Sequence, residues 1–131
     1  KKKDEEKRAK TLGNVKDVKK YFTAADVFIM PSLEEGFGVA AVEAMACGLP
    51  CILSNVIALS DFKKKIKGIT YVNLNTKSIS KAMINYHKLN KSERFAKGKK
   101  LSLQVKKYFG LNAGPKEFLN LYRGLSFRKK I

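Results

Sequence analysis

The chain of 131 residues is poor in acidic side chains, in cysteine, in histidine and in long apolar runs. No run approaches the roughly twenty apolar residues that a membrane-spanning helix needs, and no signal peptide is expected. The two cysteines, Cys47 and Cys51, are too few and wrongly spaced for a zinc site. They fall at a helix end and a strand start, where small buried thiols are the usual outcome, so no disulfide is expected and a reducing cytoplasm is the natural setting. The one histidine, His87, sits in the polar stretch Asn85-Tyr86-His87-Lys88; it should be exposed and without a catalytic role. There are no internal repeats and no low-complexity linker. A chain of this length builds a single core.

Acidic residues number 11 against 28 basic ones, a net charge of +17. The imbalance is regional. Residues 1–61 carry nine of each sign, whereas residues 62–131 carry nineteen basic and two acidic. Tyr21 to Phe62 contains no Lys or Arg, so any anion bound there must be held by backbone amides, by a helix terminus or by cations from elsewhere. Such a basic half fits an anionic membrane surface, where each nearby Lys contributes about 1 kcal/mol; solvated lysines from biased composition are the bland alternative. Nucleic acid is not expected, because no recognition motif is present and the aromatics are mostly spaced like core residues.

The informative stretch is Pro31 to Ser54, PSLEEGFGVAAVEAMACGLPCILS. Asp26 to Met30 is an apolar run stopped by Pro31, a buried strand. Gly38 to Cys47, rich in Ala, Met, Glu and Val with Gly48 behind it, reads as a helix, and Cys51 to Ser54 as the next strand. Strand, glycine turn, helix, strand is a parallel α/β unit, in which ligands sit at the carboxyl ends of strands. A helix starting at Gly36 to Gly38 leaves its first N–H groups unpaired and partly positive, and the glycines admit a phosphate or diphosphate. Glu35 could accept hydrogen bonds from neutral hydroxyls. Glu43, among Ala40, Ala41, Val42, Ala44, Met45 and Ala46, is costly to bury alone and would be satisfied by a polyol such as ribose. Read from the residues only, Glu35 could equally compensate the helix dipole and Glu43 could be a half-exposed surface group.

The segment ADVFIMPSLEEGFGVAAVEAMACGLPCILS resembles the donor-site segment of the retaining family-4 glycosyltransferases, of GT-B fold. P-S, then E-G-F-G, then, after seven residues that follow its Glu, a second Glu that opens E-A-M-A-x-G-x-P all occur in order, and the spacing selects Glu35 over Glu34. A looser likeness runs back through Leu12-Gly13-Asn14-Val15 and forward to about Tyr122. The resemblance implies an α/β, Rossmann-like parallel sheet with flanking helices and a helical C-terminal end. It implies that Glu35, the candidate catalytic residue, contacts donor-sugar hydroxyls and that Glu43 contacts the nucleotide ribose. The amides of Gly36, Phe37, Gly38 and Val39 would face the diphosphate or sugar. No metal and no cofactor are implied; the nucleotide-diphosphate sugar is a substrate. The implied function is retaining transfer of a hexose to a glycan or lipid-linked acceptor in polysaccharide biosynthesis, in the cytoplasm or at the inner face of the membrane.

Departures accompany the match. Where the family often has a Gly-Gly pair and a further Glu, this chain reads Asn55-Val56-Ile57-Ala58-Leu59-Ser60-Asp61-Phe62. It opens on KKKDEEKRAK, without the strands whose Arg and Lys clamp the diphosphate in that family. The resemblance therefore implies an N-terminally truncated donor-binding domain over 1–131, with its donor-site core at 14–55, C-terminal helices over 76–125, and the acceptor-binding domain missing. Alone, such a piece should be inactive. Another GT-B enzyme, an epimerase or phosphorylase, and a non-enzymatic basic module remain as alternatives.

The rest of the chain reads as support. Asn14 is positioned to cap a helix over Val15 to Ala24, with Val15, Val18 and Phe22 on one face. Ile69 to Val72 is a short strand. Helices should follow over Thr76 to Leu89, Ser92 to Phe109 and Asn112 to Leu125, the last with part of its apolar face bare.

Overall fold

The computed structural model describes residues 8–110. Three short strands form one parallel sheet in the order β1 (Phe28–Met30), β2 (Cys51–Ser54), β3 (Thr70–Val72). Phe28 pairs with Cys51 and Met30 with Leu53; Ile52 pairs with Thr70 and Ser54 with Val72. Parallel neighbours cannot be joined by a tight turn, so each connection is a crossover. Helix α2 (Val39–Ala46) links β1 to β2. A short helix α3 (Ile57–Ser60) and a 3-10 turn (Asp61–Lys64) link β2 to β3. This is the Rossmann-like α/β class with flanking helices that the sequence implied.

Every residue of the central strand β2 is fully buried, as a strand covered on both faces must be. Alternation along it feeds two cores. Leu53 joins Val42, Met45, Leu59, Leu101 and Val105 on one face, while Ile52 joins Val72, Ala82 and Tyr86 on the other. Full burial of side chains such as Val42 and Met45 stabilises the fold by about 1.5–3 kcal/mol each.

The remaining helices are α1 (Val18–Ala24), α4 (Thr76–Lys88) and α5 (Lys91–Phe109). Helix α1 starts three residues later than expected, at Asp17 rather than Asn14, with no side-chain cap. Val18 and Phe22 pack on the core, but Val15 does not, and a first turn without tertiary contact is too costly to hold. Asn75 caps α4, accepting from Ser78 N–H at 2.8 Å. Helix α5 starts at Lys91, one residue before the expected Ser92, with Asn90 as its cap. Asn90 and Glu93 form a reciprocal capping box at 2.9 and 2.8 Å. The expected helix over Asn112 to Leu125 lies outside the described residues.

Helix α5 crosses the C-terminal end of α2 at very short range. A Cβ at Gly98 would overlap the Gly48 carbonyl, so only glycine permits this approach. Four residues on, Ser102 Oγ donates to the Ala46 carbonyl at 3.0 Å. Phe95, on the same helix, is 67 % exposed and stands apart from the aromatics spaced for the core.

Candidate functional site

The site is built at the carboxyl ends of the strands. Pro31, which has no N–H to continue the ladder, releases the chain from β1 into the loop that carries Glu35. Ser54, the buried last residue of β2, fastens that loop by donating its hydroxyl to the Ser32 carbonyl at 2.7 Å. Gly38 then caps α2 with φ 82° and ψ 43°, the left-handed conformation that a side chain would strain. A Cβ there would also overlap Leu59 Cδ2. The Gly38 carbonyl accepts from Ala41 and Val42 N–H at 3.0 and 3.1 Å, and no side chain caps the helix. The N–H groups of Val39 and Ala40, at the positive end of the helix dipole, are therefore left for solvent or a ligand.

Phe37 turns inward. Its ring meets Phe62 edge-on at 5.6 Å and Phe109 at 6.0 Å. This aromatic cluster fixes the turn from beneath, and the family-divergent stretch after β2 supplies its other half through Leu59 and Phe62. The role of residues 55–62 here is thus to seal the back of the glycine turn.

Glu35, in the turn, is half-buried. Glu43 lies one helical turn beyond Val39 on the flank of α2 shared with Ala40, half-buried, while Ala41, Val42, Ala44 and Met45 take the core. Burial pushes the Glu43 carboxyl above its ordinary range. Neither carboxylate has a hydrogen-bond or ion-pair partner among the described residues. The structure thus puts Glu35 and the Gly36–Gly38 turn at the start of α2 and Glu43 on its second turn. What this surface offers is two unsatisfied acceptors beside two unsatisfied donors, suited to a ligand with hydroxyls and an anionic group.

Other groups are sorted by the fold. Cys51 is buried and Cys47 half-buried, and they are not bridged. His87 is exposed on α4, as expected. No three His, Cys, Asp or Glu among the described residues gather as a metal site would. A cavity of about 760 Å3 lies at the opposite, amino-terminal end of the strands, between α1 and α5. Phe22, Leu49 and Pro50 form its floor, and none of residues 35–43 lines it. Sequence reasoning also missed Lys63 and Tyr71. Lys63 Nζ donates to Asn55 Oδ1 and stands 4.4 Å from the Tyr71 ring centroid. Burial pushes the Tyr71 phenol up to about 12, so it stays protonated and donates to the Leu59 carbonyl at 3.0 Å.

A sequence profile of the family described as "Glycosyl transferases group 1" matches residues 1–88, two thirds of the chain. The chain belongs to the group 1 glycosyltransferases. Curated relatives agree. A UDP-Gal:alpha-D-GlcNAc-diphosphoundecaprenol alpha-1,3-galactosyltransferase of Escherichia coli is 48% identical over 50 residues, covering 38% of this chain and 13% of that protein. A D-inositol 3-phosphate glycosyltransferase of Paenarthrobacter aurescens is 52% identical over 40 residues, covering 30% of this chain and 10% of that protein. Among solved structures, sucrose-phosphate synthase from Thermosynechococcus elongatus superposes with a TM-score of 0.77 at 26% identity, over 95% of this chain and 32% of that one. This group 1 chain therefore spans only 10 to 16% of the length of such curated relatives. No helix among its described residues is long and apolar enough to cross a membrane.

Proposed function

We propose that this chain is the nucleotide-sugar-binding part of a retaining, family-4 glycosyltransferase that transfers a hexose to a glycan or lipid-linked acceptor. The observation that carries the reading is Glu43: a half-buried carboxylate, raised by burial, without a partner among the described residues, one turn from an uncapped helix start. Partial burial disfavours its charged form, and a ribose diol would supply the hydrogen-bond donors that water now provides. Glu35, beside the turn, would accept from the sugar hydroxyls. The amides of Gly36 through Val39 would hold the diphosphate, and their dipoles would stabilise the charge that grows on it as the sugar departs. The galactosyltransferase relative, whose name specifies a UDP-linked donor, supports this class of ligand. Metal independence and contact of the basic 62–131 half with anionic membrane belong to the same proposal.

The test is thermal unfolding with and without millimolar UDP, GDP, ADP and their hexose conjugates, with and without chelator, beside Glu43→Ala. A ligand at a hundred times its dissociation constant stabilises by about 2.7 kcal/mol, several degrees in Tm. A shift with one nucleotide, indifferent to chelator and lost in the variant, supports the reading. Silence with every nucleotide in the intact protein sinks it. Sedimentation with anionic vesicles, set against neutral ones, tests the membrane contact.

A further inference from the structure

A diphosphate carries more charge than two helix-terminal amides balance, and the sequence between Tyr21 and Phe62 holds no cation. The fold brings one in from just beyond that stretch. Lys63, in the 3-10 turn after α3, reaches back to Asn55, the residue that follows β2. Asn55 is tied to the carboxyl edge of the sheet, its N–H donating to the Val72 carbonyl at 3.0 Å. Its neighbour Ser54 holds the loop that leads to Glu35, through the 2.7 Å bond to Ser32. The Lys63 ammonium is thus anchored at the same end of the sheet as the two glutamates and the glycine turn.

Its partners decide what it is fit for. The Asn55 amide oxygen and the face of Tyr71 are both neutral, so they orient the ammonium without cancelling its charge. The Tyr71 ring is itself fixed by its bond to the Leu59 carbonyl. Lys64, one residue on, is the built-in contrast: its ammonium is paired with Asp61 at 2.9 Å. Lys63 is also exposed, so an anion can reach it without any rearrangement of the core.

We propose that Lys63 is an additional cation of the donor site, and that a phosphate oxygen of the nucleotide sugar replaces Asn55 Oδ1 as its acceptor. The exchange trades a bond from the ammonium to a neutral amide oxygen for one to a charged phosphate oxygen, while the Tyr71 contact is kept. This assignment rests on the nucleotide-sugar reading above.

The experiment is calorimetric titration of the intact protein with UDP, GDP and ADP and with the corresponding nucleosides, for wild type, Lys63→Gln, Lys63→Arg and Lys64→Gln. Loss of a hydrogen bond to a charged group should weaken diphosphate binding by about tenfold or more in Lys63→Gln. Nucleoside binding should not change, Lys63→Arg should recover most of the loss, and Lys64→Gln should match wild type. Added salt should weaken wild type more than Lys63→Gln. If wild type binds a nucleotide and Lys63→Gln binds it within twofold, the assignment is overturned and the donor site stands. Equal loss for nucleoside and diphosphate overturns it too, since that marks a merely structural role. If wild type binds none of the three nucleotides, the donor reading itself fails and this inference with it.

Discussion

Gly98→Ala sets two physical rules against each other. Within a helix, Ala is favoured over Gly by about 1 kcal/mol, so sequence logic alone predicts stabilisation. The packing predicts the reverse. A Cβ at Gly98 would overlap the Gly48 carbonyl, which is backbone and cannot swing aside like a side-chain tip. That backbone is itself held by the closing bonds of α2, Gly48 N–H to Met45 at 2.9 Å and Leu49 N–H to Ala44 at 3.0 Å. Helix α5 must therefore move off α2, loosening Leu101 and Val105 and stretching the Ser102 bond to Ala46. Overpacking of this kind costs about 1–3 kcal/mol, and with immobile backbone as the obstacle the upper half of that range applies. Less the propensity gain, the net loss is about 1–2 kcal/mol. At roughly 3–5 °C per kcal/mol for a chain of this size, Tm should fall by about 3–10 °C. The assay is thermal unfolding by circular dichroism, with Lys97→Ala on the same helix as a surface control. Ser102→Ala should cost less in the Gly98→Ala background than alone, because both act on one contact. A rise in Tm for Gly98→Ala would refute the close crossing of α5 over α2.

Three further outcomes are expected. Asn90→Ala breaks both halves of the capping box and should cost about 1 kcal/mol in urea unfolding, whereas an unchanged midpoint would mean that α5 does not start there. Cys51 is fully buried and its thiol is pushed far up by that burial, so alkylation of the native protein should spare it until unfolding; stoichiometric native labelling of Cys51 would contradict the core. Glu43 has a folded-state pKa raised above its ordinary 4.5, so the folded state binds its proton more tightly than the unfolded state does. Its contribution to stability should then fall as pH rises from about 4.5 through the raised value, and Glu43→Gln should remove that part of the pH dependence. An identical pH profile in the variant would place the carboxylate in open solvent.

Much of this protein was legible because its signals are local. Pro31 stops β1, the Cys51–Leu53 run is apolar because β2 is covered on both faces, and Gly38 is a glycine because the helix cap there has a positive φ. These facts depend on a few neighbouring residues, and so does the spacing that singles out Glu35 and Glu43. The helix caps were less legible. Asn14 is an acceptable cap and Ser92 an acceptable first residue by type, but α1 begins where tertiary contact begins, and α5 begins where Asn90 finds Glu93.

What the sequence by itself determined is the order of strands and helices, the parallel α/β class and the pair of glutamates at a glycine turn. Each follows from steric or periodic rules that act over a few residues. Only the tertiary structure decided which glycine is a contact rather than a hinge, since Gly98 meets Gly48 fifty residues away in the chain. It alone turned Phe37 inward onto Phe62 and Phe109, and it alone carried Lys63 back to the end of β2. Those contacts join segments that share no local pattern. They exist because a parallel sheet must return each crossover to the same edge, and so gathers distant residues at one end.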